Sequence, residues 1–165
     1  MSSQEAYMMS QDQAFVPAFK SAKRQVVDFE LSTISLSFSK IFSPSAIARR
    51  SYLFLQNLTE ITFGSDYYTN RVNLQSYLLM KTTSGVGELT YLGKVYKLHV
   101  GDVILLDCRL RHYYRAASSE GWGYVMAHFD GVAMQDYYNQ IIAGGNVCFK
   151  FTKDGVFDGL LHQLF

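Results

Sequence analysis

From Ser51 onward the chain is a succession of short apolar stretches separated by glycine and polar turns, the pattern of a β protein. Ser51 to Leu58, Ile61 to Phe63, Tyr67 to Val72 and Tyr77 to Thr82 are expected strands, the last ending at a Gly85-Val86-Gly87 break. Glu88 to Tyr91 and Val95 to Leu98 flank Leu92-Gly93-Lys94, a hairpin turn with its glycine in place. Val103 to Leu106 is continuously apolar, as in a strand covered on both faces. His112 to Ala116 and Tyr124 to Phe129 complete the series around a Ser118-Ser119-Glu120-Gly121 loop. At least seven short strands with glycine turns predict a sandwich or barrel.

The periodicity changes after Phe129. Val132 to Ala143 carries apolar residues at helical spacing and stops at Gly144-Gly145, a pair suited to a C-cap. Val156, Phe157, Leu160, Leu161, Leu164 and Phe165 form a second helical stripe, with Thr152 or Asp154 as its cap. That stripe runs to the last residue, so further chain is expected beyond it. Residues 1–25, rich in Ser, Gln and Met, read as a flexible N-terminal arm. The expected organisation is an arm over 1–25, a barrel over 26–131, and a helical segment over 132–165 that begins a truncated dimerisation and linker region.

Composition removes several function classes. A net charge of +1 with no run of more than two Lys or Arg lacks the basic face of a nucleic-acid binder. With no apolar signal core and no run of about 18 apolar residues, neither secretion nor a membrane span is expected. Cys108 and Cys148, without CxxC spacing, read as reduced thiols of a cytoplasmic protein. No Lys or helix follows Gly85-Val86-Gly87, so it is not a phosphate loop. His99, Arg109 and Arg111 read as solvated, and the Tyr137-Tyr138 pair as packing on the barrel.

The most specific stretch is GKVYKLHVGDVILLDCRLRHYYRA, residues 93–116, in which two apolar strands meet at Gly101-Asp102 and His112 follows. Together with GWGYVMAHFDG at 121–131, it resembles the cupin-type ligand-binding domain of AraC-family transcription regulators. The resemblance covers roughly Tyr67 to Gly131. It implies a mostly β, cupin-like jelly-roll barrel followed by C-terminal α-helices. It also implies a small effector, often a sugar, a helical dimerisation segment, and a C-terminal DNA-binding domain that this chain does not contain.

Metal-dependent cupins place two His one residue apart, and a carboxylate, before the Gly-Asp corner. Here the equivalent GVGELTYLG, residues 85–93, has no His. Only His112 and Glu88 stand nearby, so no cofactor, metal or catalytic residue is expected. His112 is then a hydrogen-bonding residue of the barrel or a satisfied core histidine.

Strand alternation points to the ligand site independently. Tyr67, Thr69 and Arg71 share a face; so do His112, Tyr114 and Ala116, and Tyr124, Met126 and His128. By resemblance Arg71 matches an effector-binding arginine, and Tyr114, Tyr124 and Met126 fall at pocket positions, with Met126 replacing an aromatic. A guanidinium fork holds two oxygens at once, and tyrosine rings cover apolar faces while bonding at the rim. The alternatives are pairing of Arg71 with Glu88 or Asp66, ordinary core roles for both tyrosines, and plain packing for Met126.

The expected site is therefore Arg71, Tyr114, Tyr124, Met126 and His112, with Leu160, Leu161 and Leu164 as a homodimer seam or a face against the barrel. The expected partners are a small-molecule effector of the sugar class, a second copy of the chain, and DNA only through the absent domain, with no membrane. The competing readings are a small metal-dependent cupin enzyme, such as a sugar isomerase or dioxygenase, and a barrel used mainly for dimerisation.

Overall fold

The computed structural model describes residues 26–30 and 34–150, with single positions at Gly155, Gly159 and Gln163. The N-terminal arm and the terminal stripe that carries Leu160, Leu161 and Leu164 lie outside the described residues.

Among the described residues, eleven strands and two helices follow in chain order: β1 (Val26–Glu30), β2 (Ile34–Ile41), α1 (Ala46–Ser51), β3 (Leu53–Phe63), β4 (Tyr68–Val72), β5 (Tyr77–Gly85), β6 (Gly87–Tyr91), β7 (Lys94–Leu98), β8 (Asp102–Asp107), β9 (His112–Ala116), β10 (Trp122–Gly131), α2 (Met134–Ile141) and β11 (Cys148–Lys150). The strands form a five-stranded sheet, ordered β1-β4-β9-β6-β7, and a six-stranded sheet, ordered β11-β8-β5-β10-β3-β2. Every pairing is antiparallel. The molecule is a jelly-roll whose two sheets pack face to face without a ladder joining them among the described residues.

Several elements differ from the sequence expectation. Ser51 to Leu58 and Ile61 to Phe63 are one strand, β3, and its irregularity is a register shift opposite His128/Phe129. Ser51 closes α1, a short helix begun by Ser45, whose hydroxyl accepts from the Ala48 amide at 3.1 Å. The helix expected over Val132 to Ala143 is shorter, Met134–Ile141. The strands β1, β2 and β11 were not expected. Isolated polar alternation or a three-residue length makes such edge strands hard to read.

The Gly-Asp corner turns as expected. Gly101 sits at φ +88°, its amide donates to Thr82 O at 3.0 Å, and Asp102 Oδ2 accepts from the His99 amide at 2.8 Å. A side chain at φ > 0 would be strained, which is why glycine leads the corner. At the β6–β7 hairpin, Leu92 and Gly93 both have positive φ, 51° and 75°, the two-residue turn whose twist suits antiparallel strands.

The core has two parts. Between the sheets lie Ile61, Phe63, Tyr67, Leu78, Leu89, Ile104, Leu106, Tyr114, Trp122 and Tyr124. On the outer face of the larger sheet, Tyr77 and Leu105 pack against Met134 and Tyr138 of α2. Tyr138 is thus buried while its neighbour Tyr137 is 56% exposed, so only one of the expected pair packs.

Candidate functional site

Alternation on β4, β9 and β10 carries polar side chains into the space between the sheets. Thr69 and Arg71 on β4, and His112, Tyr114 and Ala116 on β9, are all buried, while Tyr68, Asn70, Tyr113 and Arg115 between them are more open. Arg71 and His112 are direct cross-strand partners, as are Thr69 and Tyr114. Such pairs hold their Cβ atoms about 5 Å apart on one face.

His112 is fully buried, and its Nδ1 lies 2.9 Å from Leu110 O. A carbonyl only accepts, so Nδ1 carries the hydrogen and Nε2 presents a bare lone pair. That Nε2 is buried without a hydrogen-bond partner among the described residues. Burial, and secondarily the Arg71 charge, lower the His112 pKa to about 4, which keeps the ring neutral near pH 7. The inner face therefore sets an acceptor on the strand position opposite Arg71.

Tyrosines complete the wall. Tyr67 Oη and Tyr124 Oη are 2.7 Å apart, and Tyr67 Oη is 3.1 Å from Thr69 Oγ1. Tyr67 stacks on Phe63 with ring centroids 3.7 Å apart, and Tyr114 lies 6.2 Å from Tyr67 and 6.1 Å from the His112 ring. Burial raises the pKa of both Tyr67 and Tyr124, so their hydroxyls stay protonated donors. Arg71 acts electrostatically on Tyr67, Cys108, His112, Tyr124 and His128 alike, which puts it at the centre of this group.

Of the five expected site residues, Arg71, His112, Tyr114 and Tyr124 converge on this inner face. Met126 is partly buried and packs against the same core. Glu88 is engaged elsewhere: it accepts from Arg115 Nε at 2.9 Å on the outer surface. Asp66 accepts from Ser65. The expected alternative, Arg71 paired with either carboxylate, is thereby corrected. The strand alternation that turns Arg71 inward turns Glu88 outward.

Three residues of the face were not singled out. Tyr67 and His128 share strand parity with Arg71 and Tyr124, so alternation alone could have found them. His128 Nδ1 lies 2.8 Å from Ser76 Oγ, and burial followed by the Arg71 charge lowers its pKa. Cys108 precedes β9 in an irregular turn, where parity gives no guidance; it is fully buried, and burial pushes its thiol pKa up.

Arg109 is also corrected, from solvated to a clamp. Its Nη1 donates to Asp107 Oδ1 at 3.0 Å, its Nη2 to the Asp130 carboxylate at 3.1 and 3.2 Å, and its guanidinium lies 4.7 Å from the Tyr77 ring centroid. Arg111 is exposed and bonds Asn70 Oδ1 at 2.9 Å. On the outer surface, Ser65, Glu88, Lys97, Arg115 and Ser118 line a hollow of about 400 Å³, away from the inner face.

Among the described residues no group of three or more His, Cys, Asp or Glu is arranged to hold a metal ion. No helix among them is long and apolar enough to cross a membrane.

The family model of the AraC-like ligand binding domain matches residues 62–165. The chain belongs to this family. No curated protein matches it by sequence. Among solved structures, YhaK from Escherichia coli superposes with a TM-score of 0.51 at 13% identity, over 59% of this chain and 45% of YhaK. The chain thus spans less than half the length of that protein, and the likeness concerns the fold. Also similar are the Cupin_2 domain of an XRE family transcriptional regulator from Enterobacter cloacae (TM-score 0.43, 13% identity, 58% of this chain, 93% of that one) and the Cnp3 cupin domain of Schizosaccharomyces pombe (0.47, 8%, 68% and 74%). In this AraC-like domain the match begins at Thr62 and takes in Arg71, His112, Tyr114, Tyr124 and Met126.

Proposed function

We propose that this chain is the effector-sensing domain of an AraC-type transcription regulator. It binds a small polar metabolite of the sugar class without chemical change, and so controls DNA binding by a helix-turn-helix domain outside this chain. The observation that carries the reading is His112 Nε2, a buried acceptor without a partner among the described residues, on the strand position directly opposite Arg71. An unmet buried acceptor costs about 1–3 kcal/mol, and a ligand hydroxyl relieves that cost. The same hydroxyl oxygen can accept from Arg71, so the pair reads a group that both donates and accepts. The rings of Tyr114 and Tyr124, with Met126, cover the ligand's C–H faces. The family membership supports the sensing role, and we place the protein in the cytoplasm as a homodimer, with Leu160, Leu161 and Leu164 in the seam.

Thermal-shift screening against a panel of sugars, polyols and sugar acids tests this. A ligand at 100-fold excess over its Kd raises Tm by roughly 5–10 °C, because it binds only the folded state. The shift is lost in Arg71→Ala and in His112→Phe. A panel without a single stabilising compound, or a hit indifferent to both substitutions, overturns the site. Stoichiometric metal in the purified protein, with turnover of a hit, overturns the non-catalytic reading.

A further inference from the structure

The inner face is tied to α2 by two chains of contacts, both starting at His112. In the first, His112 Nδ1 donates to Leu110 O, and Leu110 lies in the turn that Arg109 anchors to Asp107 and Asp130. The Arg109 guanidinium lies over Tyr77, whose hydroxyl donates to Gln135 Oε1 of α2 at 3.0 Å. In the second, His112 is the cross-strand partner of Tyr91. The Tyr91 hydroxyl accepts from the Asp107 amide at 3.1 Å, and it meets Asp107 O at 3.1 Å and Tyr138 Oη of α2 at 3.0 Å.

Tyr91 has one hydroxyl hydrogen and two acceptors for it. If it donates to Asp107 O, Tyr138 must donate to Tyr91; if it donates to Tyr138, Asp107 O loses that bond. These are two discrete arrangements of one buried hydrogen-bond chain, the kind of element whose balance two sites can bias together. Both Tyr91 and Tyr138 have their pKa raised, by burial first, so neither loses its hydrogen near pH 7. Helix α2 in turn leads into β11, which pairs with β8.

We propose that α2 is the output element of this domain: occupancy at His112 switches the Tyr91–Tyr138 hydrogen-bond chain and the Arg109 turn, and thereby shifts α2 on the outer face of the larger sheet. The inference rests on the reading of the inner face as the effector site. It adds the route by which that site is heard elsewhere, and coupling of this kind is reciprocal.

The test needs no ligand. In the chain labelled with ¹⁵N-histidine, Tyr138→Phe and Tyr91→Phe each remove one hydroxyl and shift the His112 ring-nitrogen resonances. Tyr137→Phe, on the same helix but exposed, leaves them unchanged. Reciprocally, His112→Asn, whose amide can still donate toward Leu110 O, speeds hydrogen exchange of the α2 amides roughly 5-fold or more. Unchanged His112 resonances in both buried-tyrosine variants, or the same change in Tyr137→Phe, overturn the proposal. If His112→Asn does not fold, the two phenylalanine variants still decide. A sugar panel that fails while this coupling holds removes the effector assignment and leaves the route standing.

Discussion

Arg71 and His112 face each other across adjacent strands, and both are turned into the space between the sheets. One brings donors only and the other, with its Nδ1 hydrogen held by Leu110 O, brings an acceptor. If this face is the effector site, as proposed, the pairing favours a hydroxyl over a carboxylate, which can satisfy Arg71 but offers nothing to a neutral His112. Four further expectations follow from the contacts around it.

The two interior histidines make the fold acid-sensitive. His112 has a folded-state pKa near 4, against an ordinary value of 6.5, so below pH 6.5 the unfolded chain takes up a proton that the folded one refuses. Its contribution is fully present above pH 6.5 and is lost as pH falls toward 4. The loss is about 3 kcal/mol, and His128, also lowered, adds to it. Urea denaturation at pH 7.5, 6 and 5 shows the slope, and His112→Asn flattens it.

The hydroxyl pair between Tyr67 and Tyr124 is fully enclosed. Tyr124→Phe leaves Tyr67 Oη with Thr69 alone and lowers stability by about 1 kcal/mol. Tyr67→Phe with Tyr124→Phe costs less than the sum of the single changes, since neither leaves a stranded partner. A double-mutant cycle from denaturation midpoints checks this.

Arg109 is the shared cation of two buried carboxylates, Asp107 and Asp130. Arg109→Ala leaves Asp107 with the residue-109 amide and Asp130 with the Gly131 amide but removes their shared cation, and costs roughly 1–3 kcal/mol; partial exposure of the guanidinium keeps the figure moderate. Arg109→Lys recovers little, since a single ammonium cannot span both in the fork geometry. Thermal melts of the two variants give the comparison.

Gly87 carries its Cα against the Trp122 indole, and an added Cβ would run into that ring. Gly87→Ala overpacks this contact and destabilises by about 1–3 kcal/mol. Trp122 is the single tryptophan of the chain, so its fluorescence reports the displacement directly.

Much of this was written into the sequence because it depends on local rules. Strand parity grouped Arg71, His112, Tyr114 and Tyr124 by face, the resemblance turned those faces inward, and the positive φ at Gly101 fixed the corner that leads from β7 to β8. The family resemblance in residues 93–131 depends on the same local turns, and the match over 62–165 agrees with it.

The tertiary structure decided what those side chains meet. Parity says that a residue points inward but not which strand lies opposite, so the Tyr67–Tyr124 hydroxyl contact, 57 residues apart, could not be read from the sequence. The same limit made Arg109 look solvated, because its carboxylate partner Asp130 comes from another strand end. It also hid the tautomer of His112, which a single backbone carbonyl two residues away sets only once the turn at Leu110 is folded. Alternation is a property of one strand, whereas partners, protonation and the link to α2 are properties of strands brought together, and they exist only in the packed chain.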